Sequence, residues 1–408
     1  MRLLYVVQRY GHDVPGGAEL CCREFATRLA ARGHEVHVVT SCARSYVDWA
    51  NVYPPGIETI DGVTVHRLPV DEPRSDRFFG PLNARVPYGR KPIPLYLQRE
   101  WMRRQGPYQP ALVPWLHASA ADFDAVAFFT YLYYTTWAGL PAAAGLTPTV
   151  LHPTAHDEPP LYLSLFDATF SHPSAFAFLT EEEAALVHRR FRTHRPGRVV
   201  GMGLDPPGAV DVEGFRRTHG LGDRPYVVFV GRIDPHKGSE ELFQFFVAFK
   251  RRNPGSLALV VVGEPVLPLP PHPDVVLTGF VDESTKGSAV AGSLALVQPS
   301  YYESFSIVLV EAWSHARPAL VNGRCAVLDG QARRSGGAIP YDGFAEFEVG
   351  LQMLLESPDL RRTLGEAGRD YVDARYRWSV VLDEYEALLD RITRGRPRHS
   401  LAAGASAG

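Results

Sequence analysis

The sequence predicts an α/β protein built from two doubly wound halves, each around its own parallel sheet. Three observations predict it. The first forty residues run strand, helix, strand. A second series of the same kind starts near residue 225. The charged motifs sit in loops that directly follow strands, where open parallel sheets bind their ligands. At 408 residues the chain is also too long for one ordinary core, so length favours two domains.

The elements follow in order. Arg2–Gln8 is an apolar run of strand length, and Arg9–Gly17 is a Gly/Pro loop. From Ala18 to Arg32 the apolar residues Ala18, Cys21, Cys22, Phe25, Ala26 and Leu29 form one helical stripe. Gly33 suits the helix end, and Glu35–Thr40 resumes strand. Ala125–Phe129 and Thr149–His152 read as strands of the same sheet. Residues 71–118, rich in Pro, Arg and aromatics, read as an insertion of loops and short helices. The second half has strands at Tyr226–Val230, Ala258–Val262, Val275–Thr278 and Leu294–Gln298. Its helices lie at Ser239–Arg252 and about Ile307–His315. The expected division is 1–205, 206–377, a closing amphipathic helix over 378–393 that packs back on the first domain, and a flexible tail over 394–408.

Composition excludes several classes. Hydrophobic residues make up 45% and charged residues 21%, which is a globular profile and not a disordered one. A net charge of −3 argues against general nucleic-acid binding. No apolar run reaches the roughly 18 residues that span a bilayer. The start MRLLYVVQRYG does not read as a signal peptide. Cys21, Cys22, Cys42 and Cys325 have neither disulfide-framework nor zinc spacing, so a cytoplasmic setting is expected.

Two segments carry chemistry. Gly231-Arg232-Ile233-Asp234-Pro235-His236-Lys237-Gly238 follows a strand and opens a helix. An Arg and a Lys beside the positive end of a helix dipole suit a diphosphate. The segment is not a P-loop, because His236 stands where the second Gly should be. As an alternative, it is a basic surface turn capped by Ser239. Glu303 and Glu311 flank the start of another helix, around Ser304–Ser306. Glu311 sits among Val308, Leu309, Val310, Ala312 and Trp313, where a carboxylate is costly unless something pairs with it. An ordinary solvent-facing Glu is the plainer alternative.

This constellation resembles the retaining glycosyltransferases of family four, which have the two-domain GT-B fold. The resemblance covers nearly the whole chain. It rests on Gly16-Gly17-Ala18-Glu19, Gly231-Arg232 with Lys237-Gly238, Gly279-Phe280, Glu303-Ser304-Phe305-Ser306 through Glu311-Ala312, and a closing helix containing Trp378. It implies two Rossmann-like domains facing across a cleft. It implies that Arg232 and Lys237 hold the donor diphosphate, that Glu303 contacts sugar hydroxyls, and that Glu311 holds the ribose. Gly231 would belong to the donor site, the backbone near Phe305 and Ser306 would meet phosphate, and that near Phe280 would lie beside the base. The Gly16-Gly17 loop would approach the donor diphosphate or the acceptor from the first domain. Ser306 departs from the Gly that many relatives carry, which would narrow the phosphate turn.

Leu151-His152-Pro153-Thr154-Ala155-His156-Asp157-Glu158 resembles the family segment that places a His beside the reacting sugar. His156 is preferred over His152 because it lies further into the loop. Asp122-Phe123-Asp124 reads as a polar turn before a strand. No zinc, dehydrogenase or Gly-x-Ser-x-Gly motif appears. The resemblance implies a retaining, metal-independent reaction with no cofactor: a sugar moves from a UDP- or GDP-sugar to a glycan, lipid-linked or small-molecule acceptor. Cell-surface polysaccharide or glycolipid synthesis is the leading setting. The alternatives are a small secondary metabolite as acceptor, a nucleotide-sugar epimerase, and a silent sugar-nucleotide-binding protein. Basic stretches at 85–104 and 188–198, with Tyr96 and Trp101 as anchors, are either solvated faces or a peripheral contact with the inner face of the cell membrane.

Overall fold

A computed structural model describes residues 1–234, 237–264 and 270–395. His236 and tail residues 396–408, named above, lie outside the described residues. The chain forms two compact units, Met1–Val200 with Leu382–Gly408, and Gly201–Val381.

The first unit holds an eight-stranded sheet. Its strands are β1 (Arg2–Val6), β2 (Glu35–Ser41), β3 (Gly56–Ile60), β4 (Val63–Leu68), β5 (Ala125–Phe129), β6 (Thr149–His152), β7 (Ala175–Phe178) and β8 (Gly197–Val199). The order is β3-β4-β2-β1-β5-β6-β7-β8, parallel except for the β3–β4 hairpin at one edge. That hairpin turns at Asp61-Gly62, both at positive φ (50° and 79°), as a tight two-residue turn requires. The interior strands β5 and β7 are buried throughout, because helices cover both faces. The insertion supplies the helices Asp76–Arg85, Leu95–Gln105 and Leu112–Ser119. Trp101, Leu116 and Phe166 join the core between helices and sheet.

The second unit holds a six-stranded parallel sheet. Its strands are β9 (Tyr226–Val230), β10 (Ala258–Val262), β11 (Val275–Gly279), β12 (Leu296–Gln298), β13 (Ala319–Asn322) and β14 (Ala338–Tyr341), in the order β11-β10-β9-β12-β13-β14. The chain leaves β9 toward β10 and leaves β12 toward β13. The two neighbours therefore send their loops in opposite directions and open a crevice at their carboxyl ends. In the first unit the same reversal falls between β1 and β5.

The chain re-enters the first unit at Leu382, inside the helix Trp378–Thr393. Tyr385 of that helix lies edge-on to Phe25, 4.9 Å away between ring centres. Arg32 pairs with Asp383 at 2.7 Å, and His34 reaches Glu386 at 2.8 Å. Phe25 is fully buried at the centre of this contact and also meets the edge of His152. Phe25→Ala should therefore cost about 3–5 kcal/mol of stability, read as a lower urea midpoint.

Candidate active site

The site of the second unit is built on the loops that follow β9 and β12. After β9, Gly231 takes φ +152°, and Gly238, which precedes the helix Ser239–Arg252, takes φ +66°. A Cβ at Gly238 would stand 2.3 Å from the Pro299 carbonyl oxygen, so only Gly lets the two loops meet. Ser239 does not cap this helix with its side chain. Its hydroxyl instead donates to the Asp234 carbonyl at 3.0 Å. Arg232 is more than half exposed, 3.5 Å from Asp234. Lys237 donates from Nζ to Glu303 Oε1 at 2.7 Å, and Gln298 Nε2 reaches the same oxygen at 3.2 Å. Arg232 and Lys237 are thus gathered on one side of the crevice, and Glu303 is the nearly buried counter-ion of Lys237.

After β12 the chain enters the helix Ile307–Ser314. Ser306 occupies its N-cap at φ +67° and makes no side-chain cap bond, which leaves the first N–H groups of the helix for a ligand. Ser306 adopts the conformation a glycine would use, and its hydroxyl is turned to Gln298 Nε2 at 2.8 Å. Phe305 is buried edge-on against Tyr376 at 5.0 Å, and its carbonyl accepts from Gln331 at 2.6 Å. Phe305 therefore braces the turn from behind with its side chain and carbonyl.

Glu311 does not stand alone among apolar residues. Lys286 Nζ donates to its Oε1 at 2.8 Å and also pairs with Glu283 at 2.6 Å. Burial pushes the Glu311 pKa up, with Lys286 pulling the other way. Burial opposes the charge of Lys286, but Glu311 and Glu283 outweigh it and raise its pKa. The second oxygen of Glu311 is buried with no partner in the described structure. Glu311 is among the residues that line a cavity of about 420 Å³, together with Leu204, Val210, Glu283, Lys286 and His315. Phe280 is exposed and is not among the lining residues. Sequence reasoning missed Lys286 and Glu283. The signals were a lysine in a chain with four of them and the i, i+3 spacing on one helix.

In the first unit Gly16 caps the helix Gly17–Ala31 at φ +143°. A Cβ there would overlap Glu19 Oε2 at 2.2 Å, whereas one at Gly17 would meet nothing within 4 Å. Glu19 is buried and receives Arg9 through Nε at 2.9 Å and through a second, shorter bond. Arg9 also donates to the carbonyls of Arg44 and Pro15, each at 2.9 Å, and so pins the glycine loop. Arg9 is a third residue that sequence reasoning missed.

The two histidines after β6 separate clearly. His152 is fully buried, stacked on Phe129 at 4.2 Å, and neither ring nitrogen has a described partner. It is a core residue. His156 is about one-third exposed, with Nδ1 3.7 Å from Glu158 Oε1. Glu158 in turn accepts from the Tyr131 hydroxyl at 3.1 Å. Asp124 accepts the Arg2 backbone N–H at 2.7 Å, so the Asp122–Asp124 segment is a structural turn. Trp101 is buried with its Nε1–H donated to Asn83 at 3.0 Å, and it is not a surface anchor. Among the described residues no three His, Cys, Asp or Glu side chains cluster as metal ligands. Together, two cations, an uncapped helix end and two recessed carboxylates form a site for a phosphorylated ligand that carries hydroxyl groups.

A family model described as a glycosyl transferase 4-like domain matches residues 16–203. One described as glycosyl transferases group 1 matches residues 211–371. The GDP-mannose-dependent alpha-mannosyltransferase of Mycolicibacterium smegmatis is 30% identical, over 96% of this chain and 98% of that one. A D-inositol 3-phosphate glycosyltransferase of Kineococcus radiotolerans is 27% identical, over 86% of this chain and 85% of that one. The structure of sucrose-phosphate synthase from Thermosynechococcus elongatus superposes with a TM-score of 0.70 at 19% identity, covering 96% of this chain and 99% of that one.

The buried His152 makes a stability prediction. Burial pushes its pKa down to about 3, so the folded state excludes a proton that the unfolded chain binds below about 6.5. The neutral ring's contribution is present above pH 6.5 and is lost as pH falls toward 3. Below pH 6.5 the wild type should lose about 1.4 kcal/mol per pH unit more than His152→Phe, measured by urea unfolding across that range.

Proposed function

The chain belongs to the family-four glycosyltransferases of the GT-B fold, and from that premise we propose a retaining, metal-independent transfer of a hexose from a nucleoside diphosphate sugar to an acceptor hydroxyl. The observation that carries the proposal is the Lys237–Glu303 ion pair beside Arg232 and the uncapped start of the helix Ile307–Ser314. A donor diphosphate replaces Glu303 as the counter-ion of Lys237 and takes the free helix N–H groups. Glu303 is then released toward the sugar hydroxyls. Glu311, which lines the cavity and has one oxygen with no partner among the described residues, takes the ribose hydroxyls. The M. smegmatis relative, named for GDP-mannose, favours a GDP-sugar.

In the reaction the bond between the anomeric carbon and the phosphate oxygen breaks, and its electron pair leaves with the diphosphate. Arg232, Lys237 and the helix end stabilise that charge. The acceptor hydroxyl attacks from the same face, which retains the anomeric configuration. Its proton passes to the departing phosphate oxygen. No carboxylate acts as a nucleophile. His156 serves the reacting sugar on the acceptor side.

The acceptor is proposed to be lipid-linked, with the enzyme at the inner face of the cell membrane. The insertion exposes Phe78, Tyr88, Leu95 and Tyr96 among exposed Arg77, Arg85, Arg90, Lys91 and Arg99, a surface suited to anionic lipid. Phe78 and Tyr96 take the anchoring role assigned to Trp101 above. No helix of the described residues is long and apolar enough to cross a membrane.

Three predictions test this reading. In EDTA, one nucleoside diphosphate among GDP, UDP, ADP and dTDP should raise the melting temperature well above the others, by mass action. No shift with any of them would overturn the donor site. Glu303→Ala should bind that nucleotide normally and lose about a hundredfold or more in transfer. Near-normal turnover would remove Glu303 from the sugar. The protein should also sediment with phosphatidylglycerol vesicles and be released at 1 M salt, where screening shortens to about 3 Å.

A further inference from the structure

We propose that Glu183 is a positioning residue that sets the loop carrying His156. The inference rests on the role given to His156 above and extends it to a residue buried outside the loop. Glu183 lies in the first turn of the helix Glu181–Phe191 and is almost entirely buried. Its Oε1 accepts the Ala155 backbone N–H at 2.7 Å, and its Oε2 accepts that of Leu179 at 2.7 Å. The bond to Ala155 joins two segments 28 residues apart and ends one residue before His156.

The spacing Thr180-x-x-Glu183 is that of a capping box, and Thr180 Oγ1 does accept the Glu183 N–H at 3.2 Å. An ordinary box serves only its own helix end. Here one carboxylate oxygen is spent on a different loop. That loop needs holding. Thr154 sits at φ +47°, a conformation costly for a β-branched residue unless its neighbours impose it. On one side Pro153 is fixed by its carbonyl, which accepts the Tyr131 N–H at 3.1 Å. On the other side the Ala155 N–H is fixed by Glu183. The strained residue is clamped between these two bonds, and the direction in which His156 leaves the loop follows from them.

A carboxylate suits this task because it offers two acceptor oxygens to two N–H donors. Burial pushes the Glu183 pKa up to about 7, with both N–H groups and His156 pulling it back. Glutamine has the same shape but only one acceptor, so Glu183→Gln sets an amide NH₂ against one of the two N–H groups.

The test is a double-mutant cycle on the full chain, with GDP-mannose or UDP-glucose, whichever the wild type turns over, and nucleoside diphosphate release as the readout. Glu183→Gln should lower kcat by about ten- to a hundredfold. Donor KM and nucleotide affinity should stay within about twofold of wild type, which simple unfolding would not give. In the His156→Ala background the same substitution should change kcat by less than about twofold, because the two act as one unit. If Glu183→Gln does not fold, Glu183→Asp carries the same cycle, with two acceptors that stop one methylene short. Losses that multiply in the double variant would overturn the positioning role and leave His156 in the site. A His156→Ala variant with unchanged kcat would overturn the His156 reading itself, and the present inference with it.

Discussion

A carboxylate taken out of water must be given a partner, and four such carboxylates organise this protein. Glu303 is satisfied by Lys237, Glu311 by Lys286, Glu19 by Arg9 and Glu183 by two backbone N–H groups. Removing one partner would leave an uncompensated charge, so each pair fixes the loops that carry it. Lys237 and Glu303 tie the β9 loop to the β12 loop. Lys286 and Glu311 tie two helices across the mouth of a cavity. Arg9 and Glu19 hold the glycine loop at the end of β1.

The pairs differ in what a ligand can do to them. Lys237–Glu303 and Lys286–Glu311 are partly accessible and lie beside open space, so a phosphate or a hydroxyl can replace one partner without stranding the other. Arg9–Glu19 and the Glu183 bonds are buried and have no such exchange open to them. In the proposed reading the first kind binds, and the second kind positions. The division follows from burial alone, since the chemistry of the charged groups is the same in both.

The fold, and the placement of the charged motifs after strands and at helix starts, were legible before the structure. Helix Ser239–Arg252 and strands at Tyr226–Val230 and Ala258–Val262 fall where the hydrophobic pattern places them. The pattern works there because interior parallel strands are continuous apolar runs and surface helices carry one apolar stripe. Less was legible at the sheet edges. The hairpin of β3 and β4 was not assigned, although Asp61-Gly62 between two short runs is a turn signal. An edge strand exposes most of one side and so loses the apolar contrast that marks an interior one.

The sequence by itself determined that there are two parallel α/β units, that Arg232, Lys237 and Glu303 stand in loops after strands and that Glu311 stands in the helix that follows, because periodicity and motif spacing are local properties. Only the tertiary structure decided which charges meet. That Lys286 answers Glu311 across 25 residues, that Trp101 is buried while Tyr96 is exposed, and that His152 fills the core while His156 stands at the surface, all depend on packing between segments far apart in the chain. Partner choice and burial are set by non-local contacts, and a linear pattern carries no record of them.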